Sequence, residues 1–450
     1  MSTFIGKRAI VIGAGMSGLG AARALADHFE QVTVLERDTL PADPLPRSGV
    51  PQSWHLHGLL GGGQHAFSEL FPGFTADLAQ AGGVPVRVGL DFLMEIPGYD
   101  PFPRRDLGWV IHAMSRPLVE QTVRRCVERH ANITLRMGCR ALEIAGAPGD
   151  FQASTVRYET EERRQETLAA DLIVDASARG LLTLAFLESL GGPIPEETRI
   201  EVDEGIASAL FAVSDAFSSD WNGVFMIPAA QETSRGGIMM RVDGNRWMVT
   251  LFGRQGEWPP GEGKKFLDYA QSLRTSTIYN TIKNAKPLRD IVRFGFTESL
   301  WRHFERLDSF PRGLLPIGDA FCRFNPMYGQ GMSVAAMEAN LLRRILHARA
   351  AEQDPLAGLA QAFFAEAKFL IETPWAMSVV PDFIYPETKG DRPADFESVL
   401  RFQGAVTRIA ARDPAVHKLM VEVQHLLKPR SVYRAPALVE RVEAEMAEAW

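Results

Sequence analysis

The chain has 450 residues, 46% of them hydrophobic and 23% charged, an ordinary globular composition that is long enough for two or three lobes with ample core. The formal net charge of −7 and the pI near 5.9 argue against a nucleic-acid partner. Three cysteines without paired spacing, no signal-peptide pattern and no stretch of 18 apolar residues predict a cytoplasmic protein without disulfides or a transmembrane helix.

The chain opens with the pattern of a β-α-β unit. Residues 8–12, RAIVI, predict a strand, LGAARALADHF predicts a helix, and VTVLE predicts a second strand that ends at Glu36. Between them stand Gly13, Gly15 and Gly18, spaced as G-x-G-x-x-G. The first glycine permits the tight turn, the second lets the backbone approach a pyrophosphate, and the third lets the helix pack on the strand. Glu36 stands where an acid accepts hydrogen bonds from an adenosine ribose, so the unit predicts dinucleotide binding.

Two further patterns allow weaker interpretations. Residues 61–66, GGGQHA, also fit a nucleotide-binding pattern, but no clean strand precedes them and no acid follows, so a Gly-rich turn into a helix is favoured. His55, His57 and nearby His65 raise the question of a metal site. No cysteine or carboxylate cluster accompanies them, so we expect no metal and favour a loop that packs against the cofactor or a neighbouring strand.

The middle of the chain indicates two kinds of sheet. Residues 64–82 and 115–130 predict helices, and ITLRM, STVRYE and ADLIVDAS predict strands, the last apolar on both faces like a buried parallel strand. From 205 to 252, the runs SALFAVSD, GVFMIP, GGIMMRV and RWMVTLF predict short strands, with a hairpin turn at 243–245. This second group predicts an antiparallel sheet that is distinct from the parallel one.

A second glycine motif precedes a long helical region. Residues 318–331 read GDAFCRFNPMYGQG, and the pattern from there to Trp450 is helical, with proline breaks at 355, 374, 381, 386 and 414. Gly329 and Gly331 let backbone N–H groups approach a ligand closely. Because the following helix N-terminus has free N–H groups and a partial positive charge, the motif predicts a site for an electron-rich ligand.

These motifs together resemble a known family. GAGMSGL, ERD at 36–38, SRPLVE at 115–120, ADLIVDASARG at 170–180 and GDAFCRFNPMYGQGMSVAAMEA at 318–339 resemble the FAD-dependent aromatic-hydroxylase family with the para-hydroxybenzoate hydroxylase-like fold. RSGVPQSWHLHGLL at 47–60 resembles a narrower group, the bacterial single-component FAD monooxygenases that hydroxylate or epoxidise natural-product intermediates. The resemblance covers nearly the whole chain.

The resemblance implies an α/β fold with α+β elements. An FAD-binding domain, a Rossmann-like ββα sandwich, would comprise residues 1–190 and 288–345 and so be discontinuous. An inserted antiparallel-sheet substrate domain would comprise 191–287 with part of 85–112, and a helical C-terminal region would comprise 346–450.

The resemblance also implies which residues bind FAD. Asp319 would bond the ribityl chain, while Pro326 and the backbone of residues 329–332 would lie at the isoalloxazine edge near N1 and O2. Three arginines match basic positions that line the FAD in this family. The implied cofactor-binding set is Gly13, Gly15, Ser17, Gly18, Glu36, Arg37, Arg47, Arg116, Asp319, Pro326, Gly329, Gln330, Gly331 and Met332.

One segment departs from the family pattern. The family usually reads DxxGRGS where this chain has DASARGL at 175–181, so Ala178 replaces a glycine and Leu181 a serine. We therefore carry no role over to these residues. The sequence also identifies no catalytic residue and no general base.

The implied activity is that of a monooxygenase. NADPH or NADH would reduce non-covalently bound FAD, O₂ would add at flavin C4a, and the hydroperoxide would hydroxylate or epoxidise an apolar substrate. A single nucleotide fold fits a transient visit of the nicotinamide. The alternative is an FAD-dependent reductase or dehydrogenase that never activates oxygen. A halogenase is disfavoured because no lysine stands between Lys7 and Lys264, and a non-enzymatic flavin-binding module because the chain carries an additional sheet and helical lobe.

The substrate remains the most open question, together with the oligomeric state. The sheet at 205–252 would roof the flavin. One row of strand 246–252 would face the pocket while the other forms core, the rows being Trp247, Val249 and Leu251 against Met248, Thr250 and Phe252. Phe211, Phe225 and Met239 add apolar surface, so we expect a mainly apolar substrate.

Overall fold

The computed structural model describes residues 4–214 and 219–448. Asp215, which ends the predicted strand SALFAVSD, and the C-terminal end of the predicted helical region at Trp450 lie outside the described residues. The strands are β1 Gly6–Ile12, β2 Phe29–Leu35, β3 Val84–Arg87, β4 Phe92–Glu95, β5 Val110–Ala113, β6 Ile133–Arg136, β7 Arg140–Ala145, β8 Thr155–Glu159, β9 Gln165–Ala169, β10 Leu172–Asp175, β11 Glu197–Ala212, β12 Gly223–Met226, β13 Gly236–Val242, β14 Arg246–Arg254, β15 Val292–Arg302, β16 Leu314–Pro316 and β17 Cys322–Arg323. The α-helices are α1 Met16–Ala26, α2 Gly61–Leu70, α3 Phe74–Ala81, α4 Arg116–Glu128, α5 Leu181–Ser189, α6 Gly263–Gln271, α7 Thr277–Ile282, α8 Gly331–Arg349, α9 Leu359–Asp382, α10 Phe396–Arg412, α11 Pro414–Gln424 and α12 Pro436–Glu448.

A parallel sheet carries the two glycine motifs. Its strand order is β16-β10-β1-β2-β6, and every neighbouring pair is parallel. All four residues of β10 are buried, as a strand covered on both faces requires. Helices α1 and α8 lie side by side over this sheet, so close that a Cβ at Gly20 would come within 2.8 Å of the Ala339 Cβ. The predicted β-α-β unit and buried parallel strand are confirmed.

The second large sheet is almost entirely antiparallel. Its order is β17-β15-β11-β14-β13-β12-β4, and only the pair β12–β4 is parallel. The predicted hairpin turn joins β13 to β14, where Gly244 and Asn245 both have positive φ, the geometry of a type I′ turn. Helices α6 and α7 cover one face of this sheet and share a hydrophobic core with it.

Several elements differ from the sequence-based expectation. The predicted helix 64–82 is two helices, because Pro72 and the left-handed Gly73 (φ 88°) separate α2 from α3. Pro374 and Pro381 do not break the C-terminal helices but lie inside α9. Burial of α9 against two core clusters offsets the backbone hydrogen bonds that these prolines remove. Strand β15 was not predicted.

The last three helices form a separate layer. Helices α10, α11 and α12 enclose a hydrophobic cluster with residues of the 88–107 segment, including Phe102. No helix among the described residues combines the length and apolar character that a bilayer crossing requires. The observed mixture of a parallel sheet, antiparallel sheets and a helical C-terminal region confirms the predicted fold class.

Candidate functional site

The three N-terminal glycines have three different surroundings. Gly13 has φ 98°, and a Cβ there would lie 2.8 Å from the Ala176 carbonyl oxygen. A Cβ at Gly18 would lie 1.8 Å from the Gly13 carbonyl oxygen, so the helix could not pack with any larger residue. A Cβ at Gly15 would meet no atom within 4 Å. Gly13 and Gly18 therefore shape the turn, while Gly15 faces open space at the start of α1, where a phosphate can approach.

Glu36 lies at the end of β2 in an ion-pair network. Its carboxylate accepts hydrogen bonds from the backbone N–H groups of Ala14 (2.8 Å) and Asp38 (3.0 Å) and pairs with Arg47 at 3.3 Å. Arg47 also contacts Asp38 and Glu120, at 2.8 Å and 2.7 Å. This network fixes the end of β2 directly beside the glycine turn. Arg37, by contrast, is exposed, and its nearest recorded acceptor is the Gly49 carbonyl at 3.4 Å.

The two glycine motifs meet at Ser17 and Gly318. A Cβ at Gly318 would lie 2.2 Å from Ser17 Oγ, so residue 318 must be a glycine for the motifs to touch. The Gly318 N–H donates to the buried carboxyl of Glu338, at 2.6 Å. Asp319 is half-buried next to this contact and makes no hydrogen bond to a described residue. Burial raises the pKa of Asp319, while the charges of Arg323 and Arg116 oppose that rise.

The second motif places an unpaired buried amide and an open helix N-terminus together. Gln330 is 1% exposed, yet neither its side-chain nitrogen nor its oxygen has a partner among the described residues. Gly331 begins α8, and a Cβ there would meet no atom within 4 Å. Gly329 is left-handed (φ 64°), and the position of its Cβ would lie 4.0 Å from the Gly58 N–H. Pro326 is exposed, whereas the side chain of Met332 belongs to the core.

Arg116 and His57 extend this site. Arg116 begins α4, is 7% exposed, donates to Glu120 at 3.1 Å, and keeps a buried Nε without a partner among the described residues. Burial and the nearby Arg116 charge lower the pKa of His57 to about 3. The charge of Arg116 acts on both His57 and Asp319, so its guanidinium links the histidine-containing loop to the second glycine motif.

The histidine-containing loop packs on the antiparallel sheet. His55 Nδ1 is 2.8 Å from Ser208 Oγ, which is 2.6 Å from Thr250 Oγ1, and the Leu56 N–H donates to the same threonine. The favoured interpretation, a loop packed on a neighbouring strand, is confirmed. His65 lies apart, paired with Glu69. Within the described residues, no three His, Cys, Asp or Glu side chains are grouped to hold a metal ion.

The glycine-rich run 61–66 is a helix start, as favoured. Helix α2 begins at Gly61. A Cβ at Gly62 would lie 2.5 Å from the Leu426 carbonyl oxygen, and one at Gly63 would lie 2.5 Å from the Ser333 Cα. These glycines therefore let α2 approach α8 and the end of α11, which explains them without a second nucleotide.

The segment that departs from the family pattern is strained. Ala178 has φ 56°, a left-handed conformation that favours glycine, the residue that the family has there. Leu181 begins α5 and is 60% exposed. The chain therefore keeps the glycine-like backbone at residue 178 with a side chain that disfavours it.

The antiparallel sheet has one core face and one face toward the glycine motifs. Trp247, Val249 and Leu251 lie in the core shared with α6 and α7, as do Phe211 and Met239. The opposite row of β14 is Met248, Thr250 and Phe252, and it carries the contacts to the 54–57 loop. Half-buried Phe225 lies on this second face and contacts Phe252, with ring centroids 6.2 Å apart. We call this the open face of the sheet.

Two sets of buried acidic residues were not predicted. One is Glu338, whose carboxyl lies beneath Gly318. The other comprises Glu204 and Asp382, which meet Arg254 behind the loop of residues 325–331. Glu204 and Asp382 are 50 and 128 residues from Arg254 in sequence, so no local pattern could connect them. For Glu338, a lone acid among the small apolar residues of SVAAMEA was a detectable signal.

The geometry fits an FAD molecule along the junction of the two motifs. Gly15 and Gly331 leave open space at two helix N-termini, and Gln330 and Arg116 present buried polar atoms without partners among the described residues. Because buried polar groups normally have a hydrogen-bond partner, these two side chains are suited to contact a bound polar group. An elongated anionic cofactor with hydrogen-bonding groups at several points would supply it.

Comparisons with known proteins agree with this geometry. No family model matches the chain. Protein Rv3254 of Mycobacterium tuberculosis is 31% identical over 396 residues, which are 84% of this chain and 80% of that protein. This identity and coverage place the two chains in one family.

Solved structures share the fold at low sequence identity. A flavoprotein/dehydrogenase from Cytophaga hutchinsonii matches with a TM-score of 0.69 and 14% identity, covering 99% of this chain and all of that chain. The flavin-dependent brominase Bmp2 matches with a TM-score of 0.66 and 14% identity, covering 98% and 99%. PqsL, a probable FAD-dependent monooxygenase from Pseudomonas aeruginosa, matches with a TM-score of 0.60 and 14% identity, covering 84% and 98%. The chain therefore belongs to the same family as Protein Rv3254, and it has the FAD-dependent monooxygenase fold that its sequence motifs predict.

Proposed function

We propose that the protein is an NAD(P)H-dependent flavin monooxygenase that transfers one oxygen atom from O₂ to an apolar organic substrate. The observation that carries the proposal is the junction of the two motifs, where Ser17 touches Gly318 while Gly15 and Gly331 leave open space at two helix N-termini. When bound, FAD supplies both the redox chemistry and the activation of oxygen that the family resemblance implies. NADPH or NADH as reductant and a cytoplasmic location stay predictions.

The residues of the chain would bind, orient and shield this cofactor. The N-terminus of α1 beside Gly15 suits the pyrophosphate, and that of α8 beside Gly331 suits the electron-rich edge of the ring. The Oε2 of Glu36 accepts the Ala14 N–H and pairs with Arg47, but its Oε1, which among the described residues accepts only the Asp38 N–H, has a second lone pair for a ribose hydroxyl. The free carboxyl of Asp319 suits a ribityl hydroxyl.

The open face of the sheet supports an apolar substrate. Between Arg246 and Arg254, which begin and end this row of β14, the face carries buried Met248, Thr250 and Phe252, with half-buried Phe225 beside Phe252. Thr250 is occupied by Ser208 and Leu56, and Arg254 is paired with Glu204 and Asp382, so the described side chains without a polar partner on this face are apolar. Apolar walls also exclude water from oxygen chemistry at the flavin.

A second candidate is an FAD-dependent reductase or dehydrogenase. It is favoured by the fold shared with the Cytophaga hutchinsonii flavoprotein/dehydrogenase, which covers 99% of this chain. A halogenase is disfavoured, although the fold is also that of the brominase, because the chain has no lysine between Lys7 and Lys264.

Two measurements test the proposal. Acid precipitation of the purified protein should release one FAD per chain into the supernatant; FMN, or flavin that stays in the pellet, would contradict the cofactor assignment. Incubation with NADPH or NADH under ¹⁸O₂ and a panel of aromatic and polyene substrates should then give a product with one labelled oxygen.

Parallel reactions under ¹⁶O₂ in H₂¹⁸O identify oxygen from water. A product that changes by two hydrogens without label would support the reductase or dehydrogenase and refute the monooxygenase. Label from water alone, with no epoxide trapped at early times, would also refute direct oxygen transfer.

A further inference from the structure

A buried charged cluster lies behind the second glycine motif. Arg254 Nη2 contacts Asp382 Oδ1 at 2.5 Å and Glu204 Oε2 at 3.4 Å. Asn325 Nδ2 donates to Glu204 at 2.8 Å and lies 3.2 Å from Asp382 Oδ1, and the Tyr328 hydroxyl donates to the same Asp382 oxygen at 2.9 Å. We call these five residues the loop cluster.

The loop cluster joins three distant parts of the fold. Glu204 and Arg254 are a cross-strand pair on β11 and β14, on the open face of the sheet. Asp382 is the last residue of α9. Asn325 precedes the 3₁₀ turn Pro326–Tyr328, and Tyr328 is its last residue, directly before Gly329. The sheet and the C-terminal helix therefore both hold the loop of residues 325–331, here called the flavin loop.

The burial of the loop cluster makes its charges costly. Glu204, Arg254, Asn325 and Asp382 are each no more than 5% exposed, and the ring of Tyr385 covers the guanidinium at 4.7 Å. One guanidinium faces two carboxyl groups, so the cluster carries an uncompensated acid unless it keeps a proton. Burial raises the pKa of Glu204 to about 7, even though Arg254 opposes the rise. A buried ion pair is often no more stabilising than apolar packing, so stability alone does not account for the arrangement.

We propose that the loop cluster holds the flavin loop in the conformation that receives FAD. This inference rests on the proposed function. Asn325 binds both acids through its Nδ2, and its Oδ1 accepts the Met327 N–H at 3.0 Å. Tyr328 is anchored three residues later by Asp382. The next residue, Gly329, is left-handed and lies opposite Gly58. Two side-chain anchors thus fix the backbone immediately before Gln330 and the α8 N-terminus.

Asp382→Asn tests the positioning role. This nearly isosteric change removes the charge that binds Arg254 and weakens the acceptor of Tyr328 and Asn325. In the flavin-free protein, the N–H groups of Met327, Tyr328 and Gly329 should exchange with solvent at least about tenfold faster, and FAD affinity should fall about tenfold or more, as expected for lost hydrogen bonds to a charged group. Tyr328→Phe keeps every charge and should change both quantities in the same direction by a smaller factor.

The matched control is Glu445→Gln. Glu445 also binds two arginines, Arg408 and Arg412, but it does so in the C-terminal helices. This variant should keep wild-type exchange in the flavin loop and wild-type FAD affinity.

The outcomes separate this inference from the proposed function. If Asp382→Asn and Tyr328→Phe lower the free energy of unfolding but leave loop exchange and FAD affinity at wild-type values, the positioning role is refuted. If Asp382→Asn does not fold, Tyr328→Phe alone decides. If the wild-type protein binds no FAD, the proposed function fails, and unchanged loop exchange in the variants would refute the inference separately.

Discussion

Substitution of Glu338 by glutamine tests the buried acid beneath the second glycine motif. Glu338 is 1% exposed; its Oε2 accepts the Gly318 N–H, and its Oε1 has no partner among the described residues. Among the described residues, no Lys, Arg or His side chain pairs with this carboxylate. Burial therefore raises the pKa of Glu338 from 4.5 to about 8 in the folded, flavin-free protein.

The sign of the effect follows from proton linkage. Between pH 4.5 and pH 8 the folded protein keeps the proton on Glu338, whereas the unfolded chain has released it. The stabilising contribution of this proton is full below pH 4.5 and is lost as the pH rises through 8. Since one pKa unit corresponds to about 1.4 kcal/mol, the whole loss is on the order of 5 kcal/mol.

Glutamine keeps an oxygen that can accept the Gly318 N–H but cannot release a proton. The free energy of unfolding of Glu338→Gln should therefore fall less steeply with pH than that of the wild-type protein, by about 1 kcal/mol per pH unit between pH 5 and pH 8. Glu204 contributes a loss in the same direction in both proteins, so its effect cancels in the difference.

Urea unfolding of the flavin-free proteins at pH 5, 6, 7 and 8 measures this difference. Glu445→Gln serves as the control, because an acid paired with two arginines titrates below this range. Equal slopes for the wild-type protein and Glu338→Gln would refute the conclusion that Glu338 holds a proton at neutral pH.

Three further predictions concern cofactor binding. Asp319→Ala should weaken FAD binding roughly 10- to 150-fold, which corresponds to the loss of a hydrogen bond to a charged group. Unchanged affinity, measured by titrating the flavin-free protein with FAD, would show that Asp319 is only a loop residue. Gly331→Val should leave the flavin-free fold intact, because a Cβ there meets no atom within 4 Å. It should make the flavin midpoint potential more negative by about 5–20 mV for a two-electron couple. An unchanged potential, measured by spectroelectrochemistry, would contradict the role of the helix N-terminus. Gly15→Ala should lower FAD affinity with little effect on thermal unfolding. Gly18→Ala should destabilise the fold itself, since its Cβ would lie 1.8 Å from the Gly13 carbonyl oxygen. Equal effects of the two substitutions on the thermal unfolding temperature would refute this division of roles.

The sequence predicted the parts of the site that depend on local geometry. The turn at Gly13, the close packing at Gly18 and the helix starts at Met16 and Gly331 are all set by residues within a few positions of one another. The prediction of a single helix over 64–82 was wrong, because Pro72 and Gly73 interrupt that segment. The prolines of α9 show the opposite case, because packing kept a helix where local preference predicted breaks.

The orientation of the antiparallel sheet could not be predicted. Both rows of β14 are largely apolar, so alternation alone could not tell core from pocket. Helices α6 and α7 cover the face that contains Trp247, so Met248 and Phe252 lie on the opposite, open face.

The sequence by itself therefore determined the two glycine motifs, the strands and helices that carry them, and through them the fold. Such motifs need particular residues at fixed short spacings, because the left-handed turn at Gly13 and the close packing at Gly18 admit no larger side chain. Only the tertiary structure brought Ser17 to Gly318, and Glu204, Arg254 and Asp382 to the flavin loop. Contacts of this kind depend on how sheets and helices pack across fifty or more residues of chain, and burial then decides which of their acids keep a proton.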